Sequence, residues 1–219
     1  MMLNQPHRCS TWNSEHVSRP CEVAQGKLRS VNNGARRPGS LQLEQAVHRK
    51  VRDVIAPNLK VLFCGINPGR YSSATGHHFA GPSNRFWPTL HAAGFTPRRL
   101  SPFEDTQLLT LGLGITNLVS RTTARADVLT NQELLEGGDA LRRKVRRFRP
   151  KILAVVGLGA YRIAFGDPKA VCGLQDESIG SAYVWLLPNP SGLNAHHQGP
   201  GLVALFRELH VFASGLAAP

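Results

Sequence analysis

The sequence lacks several features that would assign it to common classes of protein. It has no apolar run near the roughly 20 residues that span a bilayer and no apolar stretch close to its start, so neither a membrane protein nor a secreted one is expected. The four cysteines, Cys9, Cys21, Cys64 and Cys172, are scattered and form no C-x-x-C pair, which argues against zinc and iron–sulfur sites. The patterns G-x-G-x-x-G and G-x-x-x-x-G-K-[ST] are also missing, which leaves a nucleotide-binding protein as a remote alternative. We expect a cytoplasmic protein that uses no metal and no cofactor.

Acidic residues are scarce relative to basic ones. The chain carries 26 lysines and arginines against 14 aspartates and glutamates, which gives a net charge of +12. This excess favours a polyanionic partner, although a solvated basic surface or a basic tail would give the same balance. Charge alone does not separate DNA from RNA or from an acidic membrane. The basic run from Arg142 to Arg149 is open to the same two interpretations, a solvated helix face or a direct contact with DNA.

Composition divides the chain into two parts. Residues 1–42 mix Asn, Ser, Gly, Pro, Arg and His without periodicity, which predicts a disordered basic arm. The arm is either a leader without function or a nonspecific tether for phosphates. Residues 43–216 can bury one substantial core, and we expect them to form a single domain.

The second part alternates short apolar runs with segments of helical period. Strands are predicted at 60–65, 114–119, 152–157 and 183–187, and helices at 41–54, 84–93, 105–111, 132–148, 160–165 and 201–213. Strands separated by helices indicate an α/β fold with three layers, in which helices cover both faces of a mostly parallel sheet of four to five strands. Ligands of such sheets bind at the carboxyl ends of the strands.

A polar loop follows the first predicted strand. Gly65-Ile66-Asn67-Pro68-Gly69 places one amide side chain between glycines that allow close approach and a proline that stiffens the turn. The loop could therefore hold one polar group still. By itself the pattern is weak, because Asn-Pro-Gly also makes an ordinary turn.

Two further motifs favour a functional interpretation of this loop over an ordinary turn. Residues 79–87 read F-A-G-P-S-N-R-F-W, and residues 189–193 read N-P-S-G-L after the last predicted strand. With these motifs in this order and spacing, the chain resembles the mismatch-specific uracil/thymine DNA glycosylase family of the uracil-DNA glycosylase superfamily. The resemblance runs from about residue 51 to residue 209 and implies a uracil-DNA glycosylase-like αβα fold.

The resemblance also implies an activity. It predicts a monofunctional glycosylase that acts as a monomer on double-stranded DNA, flips a uracil mispaired with guanine into a pocket and hydrolyses its glycosidic bond. Related damaged pyrimidines such as ethenocytosine are further candidate substrates, and a bacterial-type, nucleoid-associated location in the cytoplasm is expected. Two alternatives stay open: a superfamily member that acts mainly on other deaminated or alkylated bases, and a DNA-binding member without catalysis.

Five residues are the candidates for the base pocket. By resemblance, Asn67 orients the water that attacks C1′; it cannot act as a general base, because an amide does not accept a proton at neutral pH. The ring of Phe79 stacks on the flipped base, although a core phenylalanine is the alternative. The backbone around Ile66 and Gly69 binds the edge of uracil, and Ser72 crowds its C5 position, unless Ser72 is simply a solvated loop serine.

Residues 189–193, the insertion loop, are expected to contact the base and the duplex. The resemblance places Asn189 at the substrate, Leu193 in the gap left by the flipped base and the opposite guanine near Gly192. Ser191 and Asn194 join this candidate DNA-binding set. Residues 194–197 depart from the family pattern, because Asn-Ala-His-His replaces a continuation that contains arginine, and this difference weakens the expected grip on the opposite base.

No carboxylate occupies the place of Asn67, so we looked for a substitute elsewhere. Glu104 and Asp105 lie at the start of a predicted helix, where acidic side chains usually cap the exposed N–H groups. Capping is the favoured interpretation of both. Asp105 is also a candidate auxiliary catalytic group.

Overall fold

Five strands form one sheet in the computed structural model of the protein, which describes residues 38–39, 43, 45, 49–192 and 199–216. The strands are β1 (Val61–Gly65), β2 (Leu113–Asn117), β3 (Ile152–Val156), β4 (Gly173–Ile179) and β5 (Ala182–Leu187). Their order is β2-β1-β3-β5-β4. The first four of these are parallel, and β4 pairs antiparallel with β5. The predicted α/β class and mostly parallel sheet are confirmed.

Helices cover both faces of this sheet. In the described part of the chain the α-helices are α1 (Arg70–Thr75), α2 (Phe86–Ala92), α3 (Asn131–Phe148), α4 (Leu158–Phe165) and α5 (Pro200–Gly215), and two 3-10 helices span Pro102–Leu111 and Ala126–Val128. Successive side chains of β1 point to opposite faces: Phe63 packs with α2 and α5, and Leu62 packs with α3 and α4. The predicted three layers are therefore present. No helix among the residues described above has both the length and the apolar character needed to cross a membrane.

Four strands were predictable because each is short, largely buried and mostly apolar. The strand β4 was not predicted, because its sequence, Gly-Leu-Gln-Asp-Glu-Ser-Ile, carries two acids and is largely exposed. It lies at the edge of the sheet, where a strand is paired on one side only and needs no continuous apolar face. A tight turn at Gly180, with φ 64°, returns the chain from β4 into β5.

The prediction of a helix at 41–54 is wrong over its second half. Leu43 and Gln45 are helical, but residues 49–53 form no helix and Val54 is extended. The Val54 N–H donates to the Ile115 carbonyl at 2.9 Å, and the Ile115 N–H donates to the Val54 carbonyl at 2.8 Å. This bridge to β2 overrides the helical period of the sequence. The segment predicted as helix at 105–111 is a 3-10 helix that begins at Pro102, and the short helix α1 was missed.

Candidate active site

A cavity of about 630 Å³ lies at the carboxyl ends of β1, β2 and β5. The loop after β1, the loop before α2 and the insertion loop meet there, as expected for a parallel sheet. Its lining includes Ile66, Asn67, Gly69, Ser72, Phe79, Asn117, Asn189, Ser191 and Gly192. All the described candidates for base and DNA contact are therefore brought together, while Leu193 and Asn194 lie outside the described residues.

The side chain of Asn67 is held in one orientation. Its amide nitrogen donates to the Arg121 carbonyl at 2.9 Å and to the Thr123 hydroxyl at 2.7 Å. Thr123 in turn donates to the Arg125 carbonyl at 2.7 Å. Because carbonyls only accept, this chain of hydrogen bonds fixes which end of the amide is nitrogen. No described residue donates to Asn67 Oδ1, so this oxygen is the acceptor that the side chain presents to a ligand or water.

Phe79 forms an aromatic wall of the cavity. Its ring stacks on Phe86 with the centroids 4.1 Å apart and the planes 19° from parallel. The backbone of Phe79 has φ 51°, a left-handed conformation that costs free energy for a residue with a side chain. Strain of this kind is typical of functional sites, where the surrounding structure holds a residue in place. Phe79 is therefore a positioned surface of the cavity and not only a core residue.

Gly65 makes room for this wall. A Cβ at this position would lie 2.6 Å from Asn117 Oδ1 and 3.1 Å from Phe79 Cζ. Neither contact is tolerable without a shift of the side chains that line the cavity. The glycine that ends β1 is thus required by the packing of Asn117 and Phe79, in addition to any turn that it makes.

Asn117 was missed from the sequence. It is the last residue of β2, and its Nδ2 lies 3.4 Å from His78 Nδ1. The other ring nitrogen of His78 lies 2.9 Å from the Arg52 carbonyl and must donate to it, so Nδ1 accepts from Asn117. Burial lowers the pKa of His78, which favours this neutral form. Asn117 Oδ1 consequently lies on the Gly65 side of the amide, 2.6 Å from the place of a Gly65 Cβ, as a second oriented acceptor.

Ser72 and Ile66 line the cavity, and each also makes a hydrogen bond that holds a neighbouring segment in place. Ser72 is buried, and its hydroxyl accepts from the Ala80 N–H at 3.1 Å, which anchors the chain directly after Phe79. The carbonyl of Ile66 accepts from the Val119 N–H at 2.9 Å. The Ile66 carbonyl is therefore already paired within the fold.

Asp105 is not among the residues that line the cavity. It is buried, and its carboxylate lies 3.0 Å from His77 Nδ1. Capping of the 3-10 helix is done by Ser101 and Glu104, whose side chains accept from the N–H groups of Phe103 and Ser101. The capping prediction is confirmed for Glu104 and wrong for Asp105.

Two residues of the basic run on α3 make contacts within the fold. The Arg142 guanidinium lies 4.4 Å above the Phe165 ring, and Lys144 Nζ lies 2.5 Å from an Asp53 carboxylate oxygen. Arg143, Arg146, Arg147 and Arg149 are exposed. The run ends just before Lys151 and the amino end of β3, on the side of the sheet away from the cavity at the carboxyl ends of the strands.

Cys64 lies in β1, directly before the loop of residues 65–69, and its side chain is fully buried. Burial raises the pKa of its thiol to about 12, which argues against a role as a nucleophile.

The chain has a match among known protein families. The family model of the Uracil DNA glycosylase superfamily matches residues 52–210, which is most of the chain and includes every residue named above as lining the cavity. One similar solved structure is the solution NMR structure of a Methanosarcina acetivorans protein provisionally assigned as a uracil DNA glycosylase. It is 18% identical, with a TM-score of 0.48 over 74% of this chain and 98% of that chain.

Proposed function

This chain belongs to the uracil DNA glycosylase superfamily, and from that membership we propose that it is a monofunctional glycosylase that removes uracil mispaired with guanine from double-stranded DNA. One observation carries the proposal. Asn67 and Phe79 line one cavity at the strand ends, the first with an oriented acceptor oxygen and the second with a braced aromatic ring. These are the two groups that a water-dependent base-excision reaction needs most.

Access to the base requires flipping. A glycosidic bond inside a duplex is out of reach, so the nucleotide rotates into the cavity at a cost of a few kcal/mol, which is lowest for a mismatch. The flipped uracil stacks on Phe79, which recovers part of that cost. A preference for mispaired uracil follows from this balance even before any contact with the opposite guanine near Gly192 is counted.

The polar groups of the cavity favour uracil over cytosine. Asn117 Oδ1 is an acceptor beside Phe79, where it can receive the N3–H of uracil. Cytosine carries an unprotonated acceptor at N3 and would leave two acceptors facing each other. We assign Ser72 to the C5 side of the base, where a methyl group would be crowded, with the buried Ser72 side chain tied to Ala80.

Hydrolysis relies on positioning. Asn67 Oδ1 accepts a hydrogen bond from water and aims it at C1′. The C1′–N1 bond breaks to give a uracil anion and an oxocarbenium ion, the water oxygen bonds to C1′, and the proton that the water loses passes to the uracil anion or to solvent. An amide aims the water without deprotonating it, so turnover should be slow. None of the described residues that line the cavity is a lysine. No imine with the sugar forms, and strand cleavage requires added alkali.

The size of the cavity favours a second group of substrates. The cavity of about 630 Å³ opens to solvent and exceeds the volume of a single pyrimidine base, which is compatible with a bulkier pyrimidine such as ethenocytosine. Ethenocytosine paired with guanine belongs in the same proposal as an additional substrate.

A gel assay on one set of oligonucleotides tests the proposed function. The set carries U·G, U·A, T·G, ethenocytosine·G and single-stranded U in the same sequence, and products are compared with and without alkali. We expect alkali-labile sites from U·G first, then from ethenocytosine·G, and little from T·G. Absence of abasic sites in every substrate would refute the enzyme, and a borohydride-trapped adduct would refute the monofunctional mechanism.

A further inference from the structure

Arg85 joins the loop before α2 to the insertion loop. Its backbone N–H donates to the Pro190 carbonyl at 3.0 Å, and its guanidinium donates to the Ser191 carbonyl at 2.6 Å. Two successive carbonyls of the insertion loop are thus held by a single residue. The second bond is charge-assisted and short, which makes it the stronger of the two.

The contact between these loops is also tight at the next residue. A Cβ on Gly192 would lie 2.7 Å from Ser83 Cβ and 2.8 Å from the Ser83 carbonyl. The chain at Gly192 therefore lies directly against the loop that leads into Arg85. Within the insertion loop, Asn189 Oδ1 accepts from the Ser191 N–H at 3.0 Å, which closes the turn.

The geometry of the peptide bond determines where the N–H group of Gly192 points. In a trans peptide the carbonyl and the following N–H point in opposite directions. Since the Ser191 carbonyl points to Arg85, the Gly192 N–H points away from it, out of the loop-to-loop contact. The Arg85 guanidinium consequently sets the orientation of the peptide that leads into the remainder of the insertion loop.

Arg85 also adjoins the aromatic wall. The next residue, Phe86, is the ring on which Phe79 stacks, and Asn84 on its other side lines the cavity and accepts from the Phe86 N–H at 2.9 Å. One short segment therefore supports the base-stacking ring and holds the insertion loop. Residues 84–86 therefore link the position of the Phe79 ring to the position of the insertion loop.

We propose that Arg85 is a positioning residue for the insertion loop, whose role is to hold the Ser191–Gly192 peptide where the loop can replace a flipped base in the duplex. The inference rests on the proposed function. Arg85 does not act on the reacting bond, so its contribution should depend on whether the substrate has a base pair to open. An intact G·U pair requires the loop, and a uracil opposite an abasic-site analogue requires it much less.

The test compares Arg85→Ala with the wild-type protein on two duplexes that differ only opposite the uracil. On G·U DNA we expect the single-turnover rate to fall by about 10- to 100-fold, the size of effect that a small misplacement produces. On uracil opposite an abasic-site analogue we expect a fall of no more than about 3-fold, because only the loop is displaced and the cavity is kept. Equal losses on both duplexes, or no loss on either, would overturn the role of Arg85.

Two further variants separate positioning from a general effect on folding or charge. Arg207→Ala removes another guanidinium that donates to a backbone carbonyl, that of Ala92 at the far end of α2, and should change neither rate. Arg85→Lys keeps a cationic donor and should restore part of the G·U rate that Arg85→Ala loses. If Arg85→Ala does not fold, Arg85→Lys is compared with the wild type instead: a larger loss of rate on G·U DNA than on uracil opposite the abasic-site analogue supports the role of Arg85, and equal losses overturn it. A wild-type protein inactive on both duplexes would instead overturn the proposed function, and this inference with it.

Discussion

Replacing Asn67 with alanine is expected to lower the single-turnover rate of uracil release from G·U DNA by about 100- to 1000-fold, the range seen when one oriented polar group is lost from an active site. The reason lies in the fixed amide: with its nitrogen tied to Arg121 and Thr123, the oxygen is the only part of the side chain able to aim a water. The measurement is single-turnover cleavage with enzyme in excess. An alanine variant as fast as the wild type would remove Asn67 from the mechanism.

Two companion variants show whether orientation is the cause. Thr123→Val removes one of the two acceptors that hold the amide, so it should reduce the rate less than Asn67→Ala does. Asn67→Asp brings a carboxylate oxygen to the place where nitrogen now faces the Arg121 carbonyl at 2.9 Å. This repulsion raises the pKa of the introduced carboxyl group. The ionised carboxylate, unlike an amide, can take a proton from the attacking water, so activity of the aspartate variant should rise with pH where the wild type is flat. If Thr123→Val were slower than Asn67→Ala, or if the aspartate variant showed no rise of activity with pH, the assigned orientation of the amide would be wrong.

The second large effect is expected at Phe79. Stacking of a base on an aromatic side chain contributes about 1–3 kcal/mol, so Phe79→Ala should lower kcat/KM on G·U DNA by about 5- to 150-fold. The reason is that the ring braced by Phe86 recovers part of the cost of flipping the base. Steady-state kinetics on the same duplex measures the change. Phe79→Leu, which keeps apolar volume but has no aromatic face, should lose nearly as much.

Comparison with Phe79→Gly separates the ring from the backbone. The residue has φ 51°, which glycine adopts with little cost and alanine does not. The glycine variant should therefore unfold at a higher temperature than the alanine variant, while both are equally slow. If the rates followed the melting temperatures, the loss at Phe79 would reflect folding and not stacking of the base.

The fold was largely predictable because its signals are local. Each central strand is a short apolar run, and α3 has a clear amphipathic period with a capping box at Thr130 and Glu133. The errors arose where partners distant in sequence decide the conformation. Val54 becomes extended because Ile115 pairs with it, and β4 is a strand because β5 offers an edge.

The site was predictable in its members but not in its arrangement. The motifs identified Asn67, Phe79 and the insertion loop, yet the groups that orient Asn67 lie 54 and 56 residues further along the chain. Asn117 was overlooked because its position was counted as the middle of a strand that in fact ends there. The partner of Asp105, His77, has no sequence signal that would have separated it from the adjacent His78.

The central claim is that a flipped uracil occupies this cavity with a water on Asn67. A crystal structure of the protein with a G·U duplex carrying 2′-fluoro-2′-deoxyuridine tests it most directly, because the fluorine slows bond cleavage and preserves the complex. We predict uracil stacked on Phe79 with its N3–H near Asn117 Oδ1, and a water between Asn67 Oδ1 and C1′. A uracil that stays in the helix, or a base in the cavity with no water on Asn67, would contradict the account.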